Sequence, residues 1–218
     1  MLEFLKEYQE YLYLIVAIVV SLTLHEFSHA LVASKLGDPT PKATGRLSLN
    51  PLHHIDIFGF IVMILVRFGW AKPVEVNPMY FKNPRKGMMF TALAGPIMNL
   101  FLCVVSSLLM FFSFVFSWPP FLYQFFVYMV FLNVGLAVFN LIPIHPLDGS
   151  RVVSYFFPGY ASFMMRYGNY LQLAFIALLV LPGFLPIPDL IGSLISGVQS
   201  VTAGSLMRLW MRIFGFLI

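Results

Sequence analysis

Apolar residues gather in long runs along the chain, separated by segments that hold most of the charged residues. A helix of about 20 apolar residues crosses the roughly 30 Å of hydrocarbon in a bilayer. Four runs reach this length, and a fifth is weakened by polar residues in its second half. The runs are residues 11–34, 88–117, 121–142, 161–181 and, more weakly, 190–203. The pattern therefore predicts an all-α polytopic membrane protein with about five transmembrane helices.

The connection between the first two runs, residues 35–87, is long but contains only a short apolar run. That run, residues 57–68, is too short to cross a bilayer. Residues 45–51 alternate apolar and polar side chains in part and end in turn-forming residues, as a short strand does. We therefore expect a re-entrant loop or a short β-hairpin after the first helix. A strand at residues 45–52 could accept an extended peptide at its edge.

The composition agrees with a protein whose solvent is lipid. Of the 218 residues, 60% are hydrophobic and 10% are charged, whereas a soluble domain carries roughly 25% charged residues. The mean hydropathy of +0.87 excludes an ordinary soluble globular protein. The net charge of +4 gives no indication of a nucleic-acid partner, and the single cysteine, Cys103, excludes an intrachain disulfide.

The basic residues predict an orientation. If the N-terminus lies outside and the spans alternate, every Lys and Arg except Lys6 falls on the inner side. This asymmetry follows the positive-inside rule. The positions of Arg208 and Arg212 depend on the weaker fifth span.

The first span contains the pattern His25-Glu26-x-x-His29. On a helix the two histidines are separated by about 40° in azimuth and about 6 Å in rise, so both imidazoles can reach one ion. This H-E-x-x-H pattern is typical of zinc sites in which the glutamate acts as general base for hydrolysis. The alternative is a set of buried polar groups that only pack helices together, although ionisable residues are costly at membrane depth.

A catalytic zinc normally has three protein ligands, so a third donor is needed. Asp148 is the best candidate, because Pro143 and Pro146 should end the third span and let the chain turn back into the protein. The alternative for Asp148 is a plain Asp-Gly turn. His145 is a rival ligand, with an interfacial or supporting role as its alternative.

Five ordered motifs resemble the site-2 protease family of intramembrane zinc metalloproteases, in particular its minimal prokaryotic branch without PDZ or CBS domains. The resemblance covers about residues 20–155. The motifs are HEFSH at residues 25–29, GRLSLNPL at 45–52 leading to His54, GWAKPV at 69–74, AGPIMN at 94–99 and NLIPIHPLDG at 140–149.

The resemblance implies a three-helix catalytic core with one Zn²⁺ per chain. In that family pattern His25, His29 and Asp148 bind the metal and Glu26 is the catalytic base. Asn140 matches a position that binds substrate or stabilises the oxyanion, and Asn99 matches one implicated in aligning the substrate. Residue 145 is a histidine, whereas many relatives have proline or another residue that does not bind metal at this position. His53 and His54 fall in a loop, where a structural turn role is favoured.

We therefore expect one membrane-embedded protease domain over residues 1–218, with its core at about 11–155 and accessory helices at about 161–218. Its substrates would be membrane proteins, cut in or near a transmembrane helix close to the cytosolic face of a prokaryotic cytoplasmic membrane. The lipid bilayer is the other expected partner, and a homo-oligomer or a regulatory membrane protein stays open. The alternative functions are a catalytically inactive relative that binds membrane segments and a metal transporter.

Overall fold

The computed structural model describes residues 2–66 and 69–217, without the side chains of residues 2–9, 60 and 63–66. Arg67, which entered the charge count above, and the end of the short apolar run at Phe68 lie outside the described residues, as does the side chain of Lys6. Over the described ranges the regular structure is entirely helical. The α-helices are α1 (Leu2–Lys35), α2 (Thr40–Ala43), α3 (Ile57–Val66), α4 (Pro84–Val115), α5 (Pro120–Asn140), α6 (Asp148–Phe156), α7 (Pro158–Val180) and α8 (Leu190–Phe214).

Five helical segments are long and apolar enough to cross a membrane, judged by length and composition, and this is the predicted number of such segments. They are Glu10–Lys35, Pro84–Val115, Pro120–Asn140, Pro158–Gly183 and Leu190–Leu217. The last is longer than the sequence run because its serines do not interrupt the helix. The hydroxyls of Ser196 and Ser200 bond to carbonyls of the preceding turn, so they remain satisfied within the helix.

Helices α1, α4 and α5 pack together as the centre of the molecule. Helix α4 begins at a cap in which the Asn83 side chain accepts from the Lys86 N–H at 3.0 Å, and Pro84 occupies the first turn. The connection from Ser117 to Pro119 is so short that α5 returns antiparallel to α4. We call the end where α1 ends, α4 begins and α5 ends the site end, and the opposite end the far end.

The predicted short β-hairpin is wrong for the described part of residues 36–83. Gly45 has a left-handed φ of 71°, and Pro51–His53 form a 3-10 turn capped by the Asn50 side chain. Residues 45–51 therefore belong to a turn-rich segment and do not form a strand, although their side chains alternate in part. Two buried charged residues hold this connection together, namely Asp38 and Arg46.

Asp38 and Arg46 satisfy backbone groups from distant parts of the connection. The Asp38 carboxylate accepts from the N–H of Thr40 at 2.9 Å and of Asn77 at 2.7 Å. The Arg46 guanidinium donates to the carbonyls of His53 and Lys72. The connection is thus a folded unit, and its residues 69–74 are held against the helices.

Helix α8 runs parallel to α4 and away from the site end. The Gln199 amide donates to the Phe131 carbonyl at 2.7 Å, the Trp210 indole N–H donates to Ser107 Oγ at 2.9 Å, and the Phe214 ring lies 5.3 Å from the Phe112 ring. Successive residues of α8 therefore meet successively later residues of α4. The simple alternation of spans, which placed Arg208 and Arg212 with the other basic residues, is wrong.

The direction of α7 explains why α8 runs parallel to α4, whereas alternating spans would make the two helices antiparallel. Near its start, the Tyr160 hydroxyl donates to the Pro143 carbonyl at 2.5 Å, and near its end the Phe175 ring lies 5.7 Å from the Phe139 ring. Both contacts are at the C-terminal end of α5. Helix α7 therefore runs across the site end, and α8 starts from that same end.

Candidate metal centre

Three side chains from two distant parts of the chain converge at the site end. His25 Nε2 and His29 Nε2 are 3.0 Å apart, one helical turn from each other on α1. Asp148 Oδ2, from the first residue of α6, lies 3.4 Å from His25 Nε2 and 3.3 Å from His29 Nε2. We call these three residues the ligand cluster. One atom from each lies within 4.8 Å of the others, which is a spacing that can hold a metal ion.

Gly149 allows Asp148 to approach the histidines. A Cβ at residue 149 would lie 2.2 Å from the Leu141 carbonyl oxygen and 2.7 Å from that of Ile142. Since real Cβ atoms do not approach oxygens so closely, only glycine lets the start of α6 pack on the end of α5. Gly149 is therefore required by packing, and the close approach of α6 brings the Asp148 carboxylate to the histidines of α1.

Each histidine is held by a partner on α4. His29 Nδ1 lies 2.6 Å from the Thr91 carbonyl oxygen, which can only accept, so Nδ1 donates. His25 Nδ1 lies 2.5 Å from Asn99 Oδ1 and donates to it. When Nδ1 carries the proton of a neutral imidazole, Nε2 carries the lone pair. Both lone pairs are then on the nitrogens that face Asp148, as metal ligation requires.

Gly95 provides the space in which the two imidazoles meet. A Cβ at residue 95 would lie 2.4 Å from His25 Cε1 and 2.5 Å from His29 Nε2. A side chain as small as alanine would therefore displace the metal-facing edges of both rings. The helix behind the site is shaped to leave this volume to the histidines.

The donor set suits zinc. Two imidazole nitrogens and one carboxylate leave a fourth position for water or substrate, which is the arrangement of catalytic zinc sites. The buried Asp148 Oδ2 has no hydrogen-bond partner among the described residues, as expected of an atom that ligates a cation.

A cavity of about 410 Å³ opens beside the ligand cluster. Glu26 and Asn140 line it, and so do parts of the folded connection and of α6. The Asn140 amide donates one N–H to the Leu136 carbonyl at 3.0 Å, which leaves its second N–H for another acceptor. Further residues that line the cavity are Trp70, Ala71, Pro73, Val74, Leu147 and Arg151.

Asn99 lies behind His25 and away from the cavity. Its side chain is fully buried and bonded to His25 and to Asn133. Among the described residues, this geometry supports a role in holding a histidine rather than in touching a substrate.

The remaining histidines lie outside the ligand cluster. His145 is exposed and does not join the cluster that the described residues form. His54 is fully buried, with Nε2 donating to the Ser48 carbonyl at 2.6 Å, and His53 Nδ1 donates to the Gly45 carbonyl at 2.8 Å. Both contacts brace the turn of the connection.

Three features of the site were not predicted from the sequence. The Thr91 carbonyl has no side-chain signature at all, and Gly95 stood out only as part of a motif. Arg151 lies three residues after Asp148, so its place on the same helix face as Asp148 was the one signal that could have indicated it.

Most of the chain is similar to a known protein family and to known zinc metalloproteases. The model of the family described as "Peptidase family M50" matches residues 13–121 and 117–182. The chain is 39% identical over 177 residues to "Putative zinc metalloprotease YwhC" of Bacillus subtilis (strain 168), a match that covers 78% of this chain and 81% of that protein. It is 36% identical over 140 residues to "Putative zinc metalloprotease Rip2" of Mycolicibacterium smegmatis, covering 60% of this chain and 52% of that one.

An archaeal protein is also similar. "Zinc metalloprotease MJ0392" of Methanocaldococcus jannaschii is 28% identical over 141 residues, which cover 64% of this chain and 33% of that protein. No solved structure matches the chain.

Proposed function

The chain belongs to peptidase family M50, the site-2 protease family, and on this premise we propose that it is an intramembrane zinc endopeptidase. It hydrolyses peptide bonds in or near the transmembrane helix of membrane-protein substrates, near the cytosolic face. The observation that carries the proposal is the convergence of His25, His29 and Asp148 beside a cavity lined by Glu26. One such cluster among the described residues supports one zinc per chain.

His25, His29 and Asp148 hold the metal in this proposal. When bound, zinc supplies a Lewis acid that polarises a carbonyl and lowers the pKa of a coordinated water. The Nδ1 contacts to Asn99 and Thr91 orient the two rings, and Gly149 orients the carboxylate. The residues of this chain thereby present three donors with little rearrangement.

Glu26 transfers a proton from the attacking water to the leaving amine in this proposal. It follows His25 on α1 and its side chain lines the cavity, so it stands next to the open side of the ligand cluster. It accepts a proton from the attacking water and donates it to the leaving amine. Asn140 also lines the cavity, and its second N–H is available to donate to a substrate carbonyl or to the oxyanion.

A substrate helix must unwind before it can be cut, because its carbonyls are hydrogen-bonded within the helix. The expected edge at residues 45–52 is not a strand and does not line the cavity. Trp70, Pro73 and Val74 do line it, and they lie in a stretch without helix or strand. This stretch is the better candidate to lie alongside an unwound substrate.

The chain is one membrane-embedded domain in this proposal, with accessory helices after about residue 161. We place it in a prokaryotic cytoplasmic membrane with its N-terminus outside, because most of its basic residues lie at the site end. Lipid and membrane-protein substrates are its partners.

The test compares purified wild type with Glu26→Gln in lipid nanodiscs. Both should retain one zinc per chain, while cleavage of a panel of single-span substrates should fall by about 10²- to 10⁴-fold in the variant because a general base contributes this much. His145→Ala is the matched control and should keep both zinc and cleavage.

Three results would contradict the proposal. Equal cleavage by wild type and Glu26→Gln would show that Glu26 is not the catalytic base. Zinc without cleavage in either protein would favour a binding relative. Zinc flux into vesicles that survives in Glu26→Gln would favour a transporter.

A further inference from the structure

Three buried polar side chains connect the middle of the helix bundle to His25. Asn99 Nδ2 donates to Asn133 Oδ1 at 2.8 Å, and Asn133 Nδ2 donates to Ser21 Oγ at 2.9 Å and to the Met129 carbonyl at 2.8 Å. We call Ser21, Asn133 and Asn99 the amide chain. All three are 0% exposed, so no water competes for these bonds. The amide chain joins α1, α4 and α5 and ends at His25 Nδ1.

The Met129 carbonyl sets the direction of the amide chain. A carbonyl oxygen only accepts, so the NH₂ group of Asn133 must face it. Asn133 Oδ1 then faces Asn99 and accepts from its NH₂ group. Asn99 is thereby turned so that its own Oδ1 faces His25. A reversed amide anywhere in the chain would leave two acceptors or two donors facing each other.

We propose that Asn133 is a positioning residue that fixes the tautomer of His25 through Asn99. An acceptor opposite Nδ1 favours the imidazole that carries its proton on Nδ1, which leaves the Nε2 lone pair free for a metal. Asn133 does not line the cavity or join the ligand cluster, so its influence is indirect. The inference rests on the proposed function for the identity of the metal, but the tautomer itself does not depend on it.

His29 provides an internal control because its tautomer is fixed by a different group. Its Nδ1 donates directly to the Thr91 carbonyl, which has no connection to Asn133. A change in Asn133 should therefore alter His25 and leave His29 as it is. A general loss of folding would alter both.

The test is nitrogen NMR of zinc-loaded protein with labelled histidine, followed by zinc titration against a chelator. Wild type should show both His25 and His29 protonated on Nδ1. Asn133→Leu should lose this preference at His25 alone, and its zinc affinity should fall by about 10- to 100-fold, as is usual when a partner of a metal ligand is removed.

Asn133→Asp should restore the wild-type behaviour. A buried, protonated carboxyl offers a hydroxyl donor to Met129 and a carbonyl acceptor to Asn99, so it reproduces the polarity of the amide. Gln199→Leu is the matched control, because it also removes an amide bonded to a carbonyl of α5, that of Phe131, without reaching His25. It should leave both tautomers and the zinc affinity unchanged.

The proposal is overturned if His25 of the wild type carries its proton on Nε2, a result that needs no variant to fold. It is also overturned if Asn133→Leu keeps both the Nδ1 proton and the wild-type zinc affinity. The proposed function fails separately, through absence of peptide cleavage, even where the histidine spectra are as expected.

Discussion

At the scale of single residues, the geometry of the site depends on two glycines as well as on the metal-binding side chains. Gly95 leaves space between α4 and the histidines of α1, and Gly149 leaves space between α6 and the end of α5. The spacing of His25 and His29 could be predicted from helix geometry alone. The space for their rings could not, because Gly95 lies about 70 residues further along the chain and its neighbours are set by packing.

Gly95→Ala should abolish or strongly weaken zinc binding while leaving the helices intact. Alanine is the better helix former by about 1 kcal/mol, so any loss must come from the collision with the His25 and His29 rings. Zinc content and thermal unfolding measure the two effects. Gly197→Ala is the matched control, since a Cβ there meets nothing within 4 Å.

Wild-type zinc content in Gly95→Ala would contradict the geometry of the centre. A loss of zinc in Gly197→Ala would show that replacing a helical glycine weakens zinc binding even where the new Cβ meets no other atom.

At the scale of elements, hydrophobic runs predicted the spans well because apolar length is a local property of the sequence. The H-E-x-x-H pattern could be found because helix geometry brings its two histidines together. Asp148 could be found because Pro143 and Pro146 end the preceding span, and because it lies in a family motif. The connection of residues 36–83 was predicted wrongly in part. Its shape depends on Asp38 and Arg46, whose partners lie up to 39 residues away, and no local pattern records such bonds.

Arg46→Met should loosen the connection and lower the stability of the folded protein by about 1–3 kcal/mol, because it leaves the His53 and Lys72 carbonyls without their donor. Equilibrium unfolding in mild detergent measures this change. Zinc binding should survive, since no ligand lies in the connection, whereas cleavage should fall as residues 69–74 lose their support.

Arg166→Met serves as the comparison, because Arg166 is exposed and its guanidinium lies over the Tyr167 ring. Equal stability of Arg46→Met and wild type would show that the buried guanidinium does not hold the connection.

At the scale of the whole molecule, the directions of α7 and α8 place the C-terminal end of α8 at the far end. A rule of alternating spans could not predict it, because the rule assumes that each apolar helix crosses. The contacts of Tyr160 and Phe175 with the end of α5 show that α7 lies across the site end instead. Helix α8 then brings Trp210 and Phe214 to the far end of α4.

The C-terminal end of α8 should therefore lie on the same side of the membrane as the turn between α4 and α5. Single cysteines at Gly215→Cys, Trp118→Cys and Lys82→Cys, in a Cys103→Ser background, can be labelled with a membrane-impermeant maleimide in sealed vesicles. The first two should label together and the third from the opposite side. Labelling of Gly215→Cys with Lys82→Cys would contradict the direction of α8.

Diffraction from wild-type crystals on both sides of the zinc absorption edge shows directly whether His25, His29 and Asp148 bind zinc. We expect one anomalous peak per chain, within about 2.0–2.2 Å of His25 Nε2, His29 Nε2 and an Asp148 carboxylate oxygen. A zinc peak at His145 with none between these three residues, or no zinc peak in active protein, would contradict it.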